Sequence, residues 1–75
     1  MFMHQIKKFA RYHFGKVGWI AMDNNKKVYW WKYKPKYDHH FKEWLDNKGS
    51  EDRNFKLLTN QCNSGIEPKN SLIKL

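Results

Sequence analysis

Two β-rich runs separated by four turn-prone residues constrain this chain more than any other feature. Val17-Gly-Trp-Ile-Ala-Met22 and Lys27-Val-Tyr-Trp-Trp-Lys-Tyr33 flank Asp23-Asn-Asn-Lys26. Asp and Asn tolerate the backbone angles of tight hairpin turns, so the pattern predicts an antiparallel pair. A turn centred on Asn24-Asn25 sets Trp19 opposite Trp30 and Ala21 opposite Val28 on one side. On the other side Ile20 faces Tyr29 and Gly18 faces Trp31, since side chains alternate along a strand. A glycine opposite a large ring leaves that ring room to lie across the partner strand. Both faces then carry large apolar groups, so at least one must be covered by a helix. Pro35, after Lys34, ends the second run.

The cover is expected from residues 3–14. Ile6, Phe9, Ala10 and His13 recur at helical spacing, and Gly15 is a natural stop. A strand is the competing reading, because Phe9, Tyr12 and Phe14 all suit one. Asp38 can cap a short helix over 39–47, with Phe41, Trp44 and Leu45 on its apolar face and Gly49 ending it. Residues 54–59 predict a third strand, while 71–75 are too short to assign. The expected fold is a small α+β domain: an N-terminal helix packed on a two- or three-stranded antiparallel sheet, with a second short helix. At 75 residues the chain forms one domain. Within it, residues 1–49 are an aromatic, basic core, and 50–75 are looser, with Asn54, Asn60, Asn63, Asn70, Gly65 and Pro68 as turn residues.

Gly18-Trp-Ile-Ala-Met-Asp-Asn-Asn-Lys-Lys-Val-Tyr-Trp30, then Lys34-Pro35, Trp44 and Asn70-Ser-Leu-Ile73, resemble the pattern of a group of small uncharacterised bacteriophage proteins. The similarity is best over residues 17–35. It departs at the turn, where the group has a glycine and this chain has Lys26 and Lys27, and before Ser71-Leu72, where the group's tryptophan is missing. The resemblance implies a viral origin and a β-hairpin core, and no reaction.

The chemistry-bearing residues are sparse. His4, His13, His39, His40 and Cys62 show no spacing that suits a metal ion. No metal, cofactor or small-molecule substrate is therefore expected. The lone Cys62 excludes an internal disulfide and points to a reducing compartment, the cytoplasm of a host cell. It reads as a spare, partly buried thiol in a polar loop rather than a nucleophile. Glu43, Asp46, Glu51 and Asp52 read as solvated charges near a turn. No leader is expected, because Met1-Phe2-Met3 gives way at once to His4, Gln5 and Lys7-Lys8. No run is long enough to cross a bilayer. The stripe at the N-terminus is more simply the hairpin's cover than a membrane-surface anchor.

What remains is charge and rings. The formal net charge is +8, and all the excess lies in residues 1–42, which hold ten basic and two acidic side chains. Lys26, Lys27, Lys32, Lys34 and Lys36 interleave with Tyr29, Trp30, Trp31, Tyr33 and Tyr37. Such a segment suits two kinds of partner. Cations and exposed rings can hold the phosphates and bases of a single strand, or a positive face with aromatic anchors can dock on an acidic protein surface. The favoured reading is a non-enzymatic bacteriophage accessory protein that binds and modulates a host protein, in host takeover or anti-defence. The alternative is a single-stranded nucleic-acid-binding protein using the basic-aromatic hairpin. The expected binding residues are Lys27, Tyr29, Trp31, Tyr33, Lys34 and Lys36, with Tyr29, Trp31 and Tyr33 on one side of the strand.

Overall fold

The computed structural model describes residues 2–46, 54–62 and 65–75. Helix α1 spans Met3–Phe14 and is followed by β1 (Trp19–Met22), β2 (Val28–Trp31), β3 (Lys36–Asp38), β4 (Glu43–Leu45), β5 (Phe55–Thr59), a 3-10 turn (Pro68–Asn70) and β6 (Ile73–Lys74). Four strands form an antiparallel sheet in the order β5-β2-β1-β6, and β3-β4 form a separate two-stranded sheet. The α+β class and the N-terminal helix agree with the sequence reading. The main sheet gains β6, the segment too short to assign from sequence, because β6 adds to the free edge of β1.

The hairpin β1-β2 forms, but one residue out of the expected register. Trp19 pairs with Trp31, Ile20 with Trp30, Ala21 with Tyr29 and Met22 with Val28. The expected Trp19–Trp30 pair is thereby corrected, and the cause is the turn. Instead of a two-residue turn at Asn24-Asn25, the loop is Asn24-Asn25-Lys26. The Lys26 N–H donates to the Asp23 carbonyl (3.1 Å), and the Asp23 N–H donates to the Lys27 carbonyl (2.9 Å). Lys26 takes φ +69°, the left-handed position that closes three-residue hairpin loops and that glycine usually fills. One extra loop residue swaps which β2 side chains share a face with which β1 side chains.

One face of the sheet is therefore Ile20, Met22, Val28 and Trp30, packed with Met3, Ile6 and Ala10 of α1, and with Cys62 and Leu75. Trp30 is buried, as expected of it. Its ring lies 4.0 Å from that of Phe14, nearly parallel, and its Nε1–H donates to the Val17 carbonyl at 2.9 Å. The helix stripe is rotated from the predicted one. Met3, Ile6 and Ala10 are buried, whereas Phe9 and His13 are exposed and touch each other, with centroids 4.4 Å apart. Met3 and Phe14, at the two ends of the helix, turn the stripe toward themselves because both reach the sheet. Cys62 is no spare thiol: it is 2% exposed within this core, and its N–H donates to the Lys26 carbonyl at 2.9 Å.

The opposite face carries Ala21 and Trp31 with Trp44, flanked by Tyr29, Tyr37, Phe55 and Leu72. The β3-β4 hairpin contributes Tyr37 and Trp44 to this layer, in the place where a second helix was expected. Asp38 does cap, as its position suggests: its Oδ1 accepts the N–H of His40 (2.8 Å) and of Phe41 (3.2 Å). The turn it nucleates does not propagate. Lys42 takes φ +56°, which reverses the chain, and Asp38 pairs with Glu43, Tyr37 with Trp44 and Lys36 with Leu45. No second α-helix forms among the described residues; besides α1 they hold the 3-10 turn at Pro68–Asn70. Gly49, expected to end that helix, lies outside the described residues, as does the 49/50 boundary between the two parts of the chain.

Gly18 sits where the two faces meet. Its φ is +98°, and a Cβ there would overlap the Trp31 carbonyl and the Trp30 indole. The glycine does make room for a ring, that of Trp30 rather than Trp31. Ser71, fully buried, ties the 3-10 turn to the sheet: its Oγ accepts the Met22 N–H at 2.8 Å and lies 2.6 Å from the Pro68 carbonyl. No described helix is long and apolar enough to cross a membrane.

Candidate functional site

The two hairpin turns lie side by side. Asn24, in the first, donates from Nδ2 to the Phe41 carbonyl of the second at 3.1 Å. Asp23, at the base of the first, accepts the Trp44 N–H at 2.9 Å through Oδ1. These bonds clamp the turns together, and a groove of about 410 Å³ runs between them and the segment 67–69. Lys26, Lys42 and Lys69 line it with His39, Tyr37, Asn24, Pro68 and a single carboxylate, Glu67. Glu67 lies 3.6 Å from the Lys69 ammonium.

Lys26 and Lys42 are the non-glycine residues with positive φ among those described, and both line this groove. A left-handed β-carbon costs about 1–2 kcal/mol, which glycine would avoid. Backbone strain of this kind persists where surrounding structure enforces it, often at binding sites. Here it places two ammonium groups on one concavity. The Tyr37 and His39 rings meet edge-on with centroids 4.9 Å apart, and Phe41 stands 61% exposed between His40 and Lys42. The groove can hold an anionic group by charge, and the turn that carries Lys42 also presents an exposed apolar ring, Phe41.

The six residues expected to bind do not form one surface. Trp31 is 5% exposed inside the second core, so it is no free stacking platform. Tyr29 is half-buried beside it, and Lys27 is half-buried at the turn. Tyr33 and Lys34 are exposed on the connection from β2 to β3 and Lys36 is exposed at the start of β3, with the Lys32 ammonium 5.5 Å from the Tyr33 ring centre. The basic groove shares none of the six, although it lies in the charged first part of the chain apart from the 67–69 wall. Its signal in the sequence was the lysine at the turn position where a glycine is usual. Lys42 gave no such sign, because 39–47 reads as a helix.

Tyr29 and Trp31 instead line a second, smaller cleft of about 240 Å³, together with Phe55, Trp44, Leu45, Asp23, Glu43 and Asp46. The Trp31, Tyr29 and Phe55 rings lie 5.2–6.2 Å apart, tilted to one another. Trp44 is fixed by its Nε1–H, which donates to the Pro68 carbonyl at 3.0 Å. Burial pushes the Asp23 carboxyl above its ordinary value, the Trp44 N–H bond opposes this, and the nearby Glu43 charge adds to it. Asp46 accepts from Asn54 Nδ2 at 3.4 Å. Among the described residues no three of His, Cys, Asp and Glu gather as a metal-binding group. Compared with known protein families, curated proteins and solved structures, the chain matches none.

Proposed function

We propose that the protein is a small non-enzymatic accessory protein of bacteriophage origin, acting in the host cytoplasm by docking its basic groove on an acidic surface of a host protein and modulating that protein. The observation that carries this reading is the groove of Lys26, Lys42 and Lys69, with exposed Phe41 next to Lys42 in the same turn. An apolar anchor together with a cationic groove supplies both halves of a docking site: the ring gives affinity by burial, and the charges steer and orient. The burial of Trp31 favours this over base stacking, since it removes the central ring of the nucleic-acid platform.

A second reading has its own support. Tyr37 and His39 line the same groove as the three lysines, and rings beside cations also suit single-stranded nucleic acid. Capture from bacterial lysate, with and without nuclease, separates the two. The favoured reading expects a nuclease-resistant stoichiometric band that Phe41→Ala abolishes and that Lys26→Ala with Lys42→Ala weakens. Retention lost on nuclease treatment, with uniform weakening across sequences in the lysine variants, supports nucleic acid. Capture unaffected by any of these variants overturns both.

A further inference from the structure

The smaller cleft is the electrostatic opposite of the groove. In a chain of net charge +8, three carboxylates, Asp23, Glu43 and Asp46, share a cavity with the rings of Tyr29, Trp31 and Phe55. We propose that this cleft is a receptor for a small methylated ammonium compound, of the choline type.

Three features point to that chemistry. Aromatic faces carry negative potential and attract large, weakly hydrated cations, best when several rings converge. Tyr29, Trp31 and Phe55 converge here, mutually tilted with centroids 5.2–6.2 Å apart. The carboxylates add negative charge without gathering into a metal-ligand set, so the field is spread over the cavity rather than focused on a point. A bulky organic cation fits such a field better than a compact metal ion, which requires several oxygens at short range. The third feature is room: at about 240 Å³, the cavity is far larger than the roughly 30 Å³ share of one water.

The cleft and the groove use different residues, so the failure of either proposal leaves the other standing. The test is titration of the whole chain with choline, followed by the indole N–H resonance of Trp31, with 3,3-dimethyl-1-butanol as the uncharged isostere. Saturable binding in the millimolar range or tighter is expected, shifting the Trp31 resonance, with the isostere at least about tenfold weaker. Glu43→Gln and Phe55→Leu keep side-chain shape or apolar character, and each should weaken choline by about fivefold. Equal binding of choline and its isostere would show a merely apolar cavity and overturn the proposal. So would an unmoved Trp31 resonance, or affinity unchanged in both folded variants. If a variant does not fold, the comparison of the two ligands on the unaltered chain decides alone.

Discussion

The two faces of the main sheet are built on different terms. Under α1 the layer is mostly aliphatic and closed: Ile20, Met22 and Val28 are fully buried against Met3, Ile6 and Ala10. Its one ring among the buried residues, Trp30, has both its π face and its N–H satisfied, by Phe14 and by the Val17 carbonyl. Under the β3-β4 hairpin the layer is aromatic and open. It holds a buried carboxyl at Asp23, an indole N–H with no acceptor at Trp31 and a cleft between them, with two left-handed lysines at its adjoining turns. The first face has the satisfied packing expected of a core that holds a fold together. The second keeps one unmet indole N–H, a buried carboxyl and strain, which cost stability and are found where a surface has another task.

The largest effect should come from emptying the closed face. Trp30→Ala removes the stacked ring and its hydrogen bond and should cost about 3–5 kcal/mol, read from denaturant unfolding. A loss under about 1 kcal/mol would mean that this face is not the core. Cys62→Ser comes next. It sets a hydroxyl among Met3, Ile6 and Leu75 and should cost about 1–3 kcal/mol, as a change in the unfolding midpoint. A neutral outcome would return Cys62 to the spare, partly buried thiol that its polar neighbours suggest.

A paired substitution sharpens the contrast between the faces. Trp30→Phe and Trp31→Phe remove the same atoms, but only the first removes a satisfied N–H. Trp30→Phe should therefore be the costlier by about 1 kcal/mol, and equal costs would erase the distinction. A smaller effect is expected at Asp23. Its carboxyl is raised by burial, so the folded state holds its proton to higher pH than the unfolded chain does. Ionised at neutral pH, it costs stability, and that cost is relieved as pH falls through the raised folded value. Asp23→Asn keeps an oxygen for the Trp44 N–H and should raise Tm at neutral pH, with the gain vanishing on acidification. A gain that persisted at low pH would point to packing rather than charge.

The sequence showed much of the closed face and little of the open one. The helix, the hairpin and strand β5 follow from periodicity and β-propensity, which act locally. The register did not, because Asn24-Asn25 is a good two-residue turn, and only the left-handed Lys26 reveals the longer loop. That single residue decided which β1 side chains share a face with Trp31, and the β3-β4 hairpin laid over that face, with Trp44 against Trp31, made Trp31 core. Asp38 similarly gave the right cap and the wrong element: tertiary pairing of Glu43–Leu45 with β3, and the fit of Trp44 against Trp31 and Ala21, overrode the helical spacing of Phe41, Trp44 and Leu45. The groove was illegible because its walls come from two turns and a segment some forty residues downstream of the first. The Asn24 and Asp23 bonds that clamp the turns depend on that three-dimensional arrangement.

The claim that the open face spends stability on binding is tested most directly by the double variant Lys26→Gly/Lys42→Gly. Glycine relieves both left-handed positions and deletes two ammonium groups. Thermal unfolding and affinity for an oligoglutamate peptide, a stand-in for an acidic protein surface, are measured on the same sample. The account predicts stability raised by about 0.5–1 kcal/mol per site and affinity reduced at least about tenfold, the two moving in opposite directions. A variant that loses stability, or that binds the peptide as tightly as the original chain, would contradict it.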